Sequence, residues 1–115
     1  FADSFYAYQG FGRGNSFEVL ESITKYAVGG TMPDVTLFFD IPPEIALKRR
    51  FAATESDRIE NEKFDFHRKV YEGYKALAAR YPERIKTIDA TRPEEEVWRD
   101  VRRQLDVAFG FIKEV

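Results

Sequence analysis

The sequence predicts an α/β fold in which helices flank a parallel sheet. One indication is "VTLFFD", Val35 to Asp40, a nearly continuous apolar run whose β-favouring residues are typical of a strand buried on both faces. Another is "RIKTID", Arg84 to Asp89, a second short strand that follows a long helical stretch. A strand, a helical crossover and a second strand indicate a parallel pair.

The predicted sheet is small for an independent domain. Two strands and about four helices provide a poor sheet core, and "VTLFFD" requires neighbouring strands on both edges. We therefore expect an incomplete α/β domain, with further strands that are N-terminal to Phe1 or supplied by a partner.

Composition excludes several classes of function. The chain of 115 residues has 18 basic and 20 acidic side chains, so its net charge of -2 gives no general attraction to nucleic acid or to an anionic membrane. Any anion-binding site must therefore be local. The absence of cysteine excludes disulfides and thiolate metal sites, and no apolar run is long enough for a transmembrane helix.

The first long helix is predicted by "NSFEVLESITKYAVGG", residues 15–30. Ser16 can cap its start, and the two glycines at its end can terminate it. The predicted apolar stripe comprises Phe17, Leu20, Ile23, Ala27 and Val28.

Three further helical stretches follow. The prolines of "IPPEIALKRRF" predict a helix start, and residues 57–80 have helical periodicity again. The last helix begins in "TRPEEEV", where Thr91 and Glu94 have the spacing of a capping box and Pro93 falls in the first turn.

The opening run "SFYAYQGFGRG", Ser4 to Gly14, has three possible interpretations. A phosphate-binding loop is weakly supported, because the residues before Gly10 look helical and no GK[ST] follows. The run can instead form a pocket wall, in which Tyr8 stacks on a ring, Gln9 pairs with an amide edge and Ser4 donates to a carbonyl. From the residues alone, a helix with a glycine-rich exit is the favoured interpretation.

Residues 46–66 form a basic stretch with a small, polar centre, "AATES". Such a segment is typical of a lid that closes over polyphosphate and balances its charge. An exposed, charged helical hairpin explains the same residues at least as well.

The segment "IDATRPEE" places Asp89 and a loop of small residues beyond the carboxyl end of a strand, where α/β folds bind ligands. The alternative is simple capping of the last helix by Thr91. His67 is the single histidine, and with no second ligand nearby we expect a surface or core role rather than catalysis or metal binding.

Taken together and in this order, these segments resemble bacterial thymidylate kinase (dTMP kinase), a nucleoside-monophosphate kinase of the P-loop class. The resemblance spans essentially the whole chain. The motifs that carry it are "S-x-x-AYQG-x-GRG" (Ser4 to Gly14), "PDVTLFFDIPPEIALKR" (Pro33 to Arg49), "DRIE" (Asp57 to Glu60) followed by "FDF", and "TIDATRPEEEV" (Thr87 to Val97).

The resemblance implies transfer of a phosphoryl group from Mg-ATP to dTMP, giving dTDP. It also implies a cytoplasmic enzyme and a homodimer that pairs through helices beside the core, with residues 16–28 as a candidate helix. Neither nucleic acid nor a membrane is an expected partner.

Site residues follow from the same resemblance, with the lid at approximately residues 49–62. It implies that the wall around the thymidine contains Ser4, Phe5, Tyr8 and Gln9. It places at the adenine pocket Arg49 together with the loop of Asp89, Ala90, Thr91 and Arg92. The catalytic candidates are Arg50 and Arg58, and no metal ligand is assigned.

The chain also departs from the family pattern. The family's P-loop, its dTMP-stacking phenylalanine and arginine, and an Asp-Arg pair expected just before Phe1 are not among the 115 residues. We therefore expect a C-terminal portion of one kinase domain that lacks kinase activity alone, because most contacts to magnesium and phosphate lie in the other portion. The lid centre reads "FAAT" where many bacterial members carry several arginines.

Two alternatives remain open. One is a kinase for another nucleoside monophosphate, which "AYQG" argues against. The other is a non-catalytic module that binds nucleotide or mediates dimerisation, which the scarcity of arginines in the lid centre favours.

Overall fold

The structure is a computed structural model that describes residues 1–53 and 61–112, with the side chains of residues 1–50 and 63–112. In chain order its elements are α1 (Ala2–Phe5), a π-helical segment (Tyr6–Gly12), α2 (Phe17–Val28), β1 (Thr36–Asp40), α3 (Pro43–Ala53), α4 (Asn61–Arg80), β2 (Ile85–Asp89) and α5 (Glu94–Ala108). None of the described helices is both long and apolar enough to cross a membrane.

Strands β1 and β2 form a parallel pair, which confirms the α/β prediction. Thr36 lies opposite Ile85, and Asp40 lies opposite Asp89, so both strands end at the same edge. The expected burial of β1 on both faces is not met within this chain, because the side chain of Phe39 is 52% exposed. Alternate residues of a strand point to opposite faces, and the chain covers the face of Phe38 better than that of Phe39.

The opening run is helical, as the residues indicated, but its glycines lie inside the helix rather than at its exit. Gly10 and Gly12 belong to the π-helical segment, and only Gly14, with a φ of 78°, lies beyond it in the left-handed region. A side chain on Gly12 would meet the ring of Phe66 on α4 at 2.8 Å. This glycine therefore permits a close approach of two helices.

Helix α4 contributes two of the buried core residues. Val70 and Leu77 are buried against the opening helices, with Ala7 and Tyr6 on the other side of the contact. Gly73 lies where Phe11 crosses α4, and a Cβ on it would approach the Cβ of Phe11 to 2.7 Å.

The starts of helices α2 and α5 differ from the predicted helix starts in their capping. Ser16 occupies the N-cap position of α2, but its side chain makes no capping hydrogen bond. The N-cap of α5 is Pro93, so the predicted capping box of Thr91 and Glu94 is wrong. The predicted stripe of α2 is also only partly right, because Leu20 is buried whereas Ile23 is 48% exposed.

One ion pair joins three elements at the amino-terminal end of the sheet. The guanidinium of Arg84 donates to both carboxylate oxygens of Asp3, at 2.6 and 2.9 Å, and Thr36 donates to the same carboxylate at 3.1 Å. The Asp3 and Arg84 side chains are only 9% and 17% exposed. This pair fixes α1 against β1 and the start of β2.

A second link connects α4 to the opposite end of β1. Tyr71 donates a hydrogen bond of 2.6 Å to Oδ1 of Asp40. Burial, followed by this bond to the carboxylate, raises the pKa of Tyr71 to about 12 from its ordinary 10.0.

Replacement of Asp3 by asparagine should destabilise the fold by about 3 kcal/mol, because it leaves the Arg84 guanidinium with little solvent and no counter-charge. Urea unfolding of the protein measures this free energy. The matched control is Asp100→Asn on α5, which breaks the more exposed pair with Arg92 and should destabilise the fold much less than Asp3→Asn. Equal losses in the two variants would contradict the assigned role of Asp3.

Tyr71 should titrate with a midpoint near 12 in ultraviolet absorbance, above the ordinary value of 10.0. Since the folded pKa lies above the unfolded value of 10.0, the stability from this group is complete below about pH 10 and is lost as the pH rises towards 12. The high midpoint should vanish in Tyr71→Phe and move down in Asp40→Asn. A midpoint that Asp40→Asn leaves unchanged would contradict the hydrogen-bonded arrangement.

Candidate functional site

A cavity of about 690 Å³ opens between β1 and helices α1, α3 and α4. Its walls are mainly apolar, and a few polar side chains converge on it, as is typical of a small-molecule site. Those polar side chains are Asp3, Ser4, Thr36, Arg50, His67, Tyr71 and Tyr74.

Ser4 reaches this cavity in the company of Tyr74. Its Oγ lies 2.7 Å from the Tyr74 phenolic oxygen, which is a hydrogen bond between α1 and α4. The ring of Tyr74 stacks on Phe38 of β1 with a centroid distance of 5.4 Å. Burial raises the pKa of Tyr74 above its ordinary value, so its hydroxyl is protonated at neutral pH.

The other three residues predicted for the thymidine wall do not line this cavity. Phe5 stacks on the ring of Phe1 and packs against the core. Tyr8 lies one helical turn beyond Ser4, is 39% exposed and contacts the ring of Phe66 at a centroid distance of 5.8 Å.

Gln9 has its backbone carbonyl oxygen engaged in closing the turn after the π-helical segment. That oxygen accepts hydrogen bonds from the backbone N–H and the side-chain amide of Asn15, at 3.0 and 2.8 Å. The structure therefore groups Ser4 with α4 at the cavity and sets Tyr8 and Gln9 further along the same helix.

Of the two arginines predicted for catalysis, Arg50 lies within the described residues and Arg58 does not. Arg50, on α3, lines the cavity, whereas half of the lid region 49–62 lies outside the described residues together with Arg58. His67, which sequence analysis assigned to a surface or core role, lines the same cavity as Arg50. No local sequence signal marks this histidine, because its proximity to α3 comes from the packing of two helices.

A second cavity, of about 460 Å³, lies at the carboxyl edge of the sheet. It brings Arg49 of α3 together with Ala90 and Arg92 from the loop after β2. The Arg49 guanidinium donates to the carbonyl oxygens of Ala90 and Thr91 at 2.8 and 2.9 Å. The structure therefore places Arg49 next to the loop after β2.

Hydrogen bonds within the loop fix its shape. Oδ1 of Asp89 accepts from the hydroxyl and from the backbone N–H of Thr91, and these bonds lower the pKa of Asp89 below its ordinary value. Arg92 donates from Nε to the Asp89 carbonyl oxygen at 3.2 Å and pairs with Asp100 on α5. The loop therefore presents a cationic and an apolar wall to the second cavity.

A metal site that a protein builds alone needs several converging carboxylate or imidazole groups. Within residues 1–50 and 63–112, no three histidine, aspartate or glutamate side chains converge in that way. Asp40 and Asp89 are opposite each other in the register, and one oxygen of each accepts a hydrogen bond, from Tyr71 and from Thr91 respectively.

Comparison with known proteins identifies the family of this chain. A sequence model described as thymidylate kinase matches residues 1–101. The chain is similar to the thymidylate kinase of Clostridium novyi, with 43% identity over 98% of this chain and 53% of that protein. It is similar to that of Bacillus velezensis, with 44% identity over 98% of this chain and 54% of the relative.

A third relative, from a Synechococcus strain, is 44% identical over 94% of this chain and 53% of its own length. The chain thus spans about half the length of the curated relatives it matches. The matched model and these identities show that the chain belongs to the thymidylate kinase family, a family of phosphotransferases with an α/β nucleoside-monophosphate kinase fold.

Proposed function

We propose that the protein transfers the γ-phosphoryl group of ATP to dTMP, giving dTDP, and that residues 1–115 supply part of both nucleotide pockets. The observation that carries this proposal is the family match over residues 1–101. Two adjacent cavities at one sheet support it, since a phosphoryl transfer between two nucleotides needs two neighbouring sites.

The first cavity is the proposed acceptor site. Its apolar walls suit a pyrimidine and its sugar, and Ser4 and Tyr74 offer hydroxyl groups to polar edges. Arg50 and His67 on its border suit the negative charge of a phosphate. Tyr8 and Gln9 are proposed to complete the wall further along the opening helix, and Phe5 to support it from the core side.

The second cavity is the proposed adenine site. The guanidinium of Arg49 is planar and is held by two loop carbonyl oxygens, so it can stack on a flat base without reorganising. Arg92 and the backbone of Asp89, Ala90 and Thr91 form the opposite border.

The catalytic contribution of this chain is proposed to be electrostatic. Phosphoryl transfer needs little covalent chemistry from the protein, and acceleration comes from positioning and charge neutralisation. Arg50 and Arg58 are the proposed cations, and the lid at residues 49–62 is proposed to exclude water. When bound, magnesium neutralises phosphate charge, and its ligands are proposed to lie mostly outside residues 1–115.

A homodimer paired through α2 is part of the proposal. Val19, Ile23 and Tyr26 lie on one exposed face of this helix, at 56%, 48% and 93% exposure. Residues three and four apart share a helix face, so these side chains form a continuous apolar strip.

The full-length gene product that contains these 115 residues should form dTDP from dTMP and ATP in a coupled kinase assay. Arg49→Ala should raise KM for ATP about tenfold and leave KM for dTMP within about twofold, because it removes a wall of the proposed adenine site alone. The matched control is Lys48→Ala, an exposed neighbour on α3 that borders neither cavity.

Residues 1–115 alone, shown to be folded by circular dichroism, should form no dTDP, because the sequence has no GK[ST] phosphate loop. A full-length product that binds dTMP and ATP without turnover would favour the non-catalytic module. Equal effects of Arg49→Ala and Lys48→Ala would contradict the adenine site.

The full-length product should sediment as a dimer in analytical ultracentrifugation, and Tyr26→Glu should shift it towards the monomer by burying an unpaired charge. Glu18→Gln, on the exposed part of the same helix but off the apolar strip, is the control and should leave the dimer intact. A wild-type monomer, or a dimer that Tyr26→Glu does not weaken, would contradict pairing through α2.

A further inference from the structure

The two arginines of the second cavity are held in different ways. Arg49 donates to the backbone carbonyl oxygens of Ala90 and Thr91 in the loop after β2. Arg92 belongs to that loop, and its guanidinium donates to the carboxylate of Asp100 on α5. Asp100 does not itself line the cavity. A side chain outside the site therefore fixes one of the two cations at its border.

Hydrogen bonds at two nitrogen atoms fix the orientation of the Arg92 guanidinium. Its Nε donates to the Asp89 carbonyl oxygen at 3.2 Å, and its Nη2 donates to Oδ2 of Asp100. A guanidinium is planar, so two anchored nitrogens leave it little freedom to turn. Binding beside an arginine that is already in place costs less side-chain entropy than binding that must first immobilise it.

The two acceptors of this guanidinium belong to fixed parts of the fold. Asp89 is the last residue of β2, and the next backbone N–H, of Ala90, donates to the Asp40 carbonyl oxygen of β1 at 3.0 Å. On α5, Val101 directly follows Asp100 and is buried. The sheet and α5 therefore hold the two acceptors in fixed positions, with the guanidinium bound to both.

The charge of Arg92 is balanced by its neighbours. The hydrogen bond to Asp100 is the largest influence on the pKa of Arg92 and raises it above its ordinary value, and the charges of Asp89 and Glu96 act in the same direction. A phosphate group near this guanidinium would also meet the Asp100 carboxylate and be repelled by it. The position therefore suits an uncharged, flat base better than a polyphosphate chain, because a planar guanidinium can stack on such a base.

We propose that Asp100 is a positioning residue that holds Arg92 ready against the base of ATP and thereby strengthens ATP binding at the second cavity. The inference rests on the proposed function, since it takes this cavity as the adenine site. The sequence motif around the loop ends at Val97 and does not include Asp100, so the contact with Arg92 comes from the folding of α5 onto the sheet.

The test uses the full-length gene product and measures kcat, KM for ATP and KM for dTMP, with the Kd of ATP from isothermal titration calorimetry. Asp100→Ala should raise KM and Kd for ATP about three- to tenfold and leave KM for dTMP within about twofold. Alanine is a better helix former than aspartate, so α5 should remain intact and the melting temperature should stay within about 3 °C.

A conservative variant and a control separate the contact from a general effect of charge. Asp100→Asn keeps an acceptor oxygen for Arg92 and should raise KM for ATP less than Asp100→Ala does. It also keeps the inference testable if the alanine variant does not fold. The control is Glu95→Ala, which removes a negative charge from an exposed position of the same helix that borders neither cavity, and it should keep KM for ATP within about twofold.

A double-mutant cycle with Arg92→Ala tests whether Asp100 acts through Arg92. Arg92→Ala alone should raise KM for ATP at least as much as Asp100→Ala does. Once Arg92 is alanine, adding Asp100→Ala should leave KM for ATP unchanged, because no guanidinium is left to position. Additive effects of the two substitutions would contradict the positioning role.

The outcomes distinguish this inference from the proposed function. Formation of dTDP with a KM for ATP that Asp100→Ala leaves unchanged overturns the inference alone. A fall in melting temperature with equal losses for ATP and dTMP also overturns it, because that result indicates a merely structural role. Failure of the unsubstituted protein to bind ATP or to form dTDP overturns the proposed function and this inference with it.

Discussion

The ion pair between Asp3 and Arg84 determines how the rest of the structure is arranged. Two charged side chains with little access to solvent are stable only together, so their bidentate contact permits one relative position of α1 and the strands. Thr36 adds a donor from the first residue of β1 and makes the link three-way. Because Ser4 follows Asp3 directly, the same contact sets the place of both polar side chains that α1 contributes to the cavity.

Close packing between the opening run and α4 then fixes the position of the residues that follow Ser4. Beyond Ser4, the opening run crosses α4 at two points where only glycine fits, Gly12 against Phe66 and Gly73 against Phe11. The glycines of the opening motif therefore contribute to packing, and Gly10 and Gly12 lie inside a helix rather than in a turn that presents backbone N–H groups. This arrangement explains why the run resembles a phosphate loop in composition but not in structure.

The sequence predicts those features that depend on local pattern. Both strands, their parallel pairing and the helical character of the opening run follow from periodicity and order. The capping box of α5 failed because the N-cap of this helix is Pro93, so Thr91 lies two residues before the cap, where its hydroxyl donates to the Asp89 carboxylate. Contacts such as Ser4 with Tyr74, or His67 at the cavity, join residues that are far apart in sequence, and a single sequence contains no signal for them.

Helix α3 separates the two cavities, and its sequence explains how one helix serves both. Arg49 lies at the second cavity and Arg50 at the first. Consecutive residues of an α-helix project about 100° apart, so two adjacent arginines can reach two sites without competing for one. Phe39 lines both cavities and marks their common wall. Under the proposed function, a shift of α3 moves the cations of both sites together, because Arg49 and Arg50 are adjacent on this one helix.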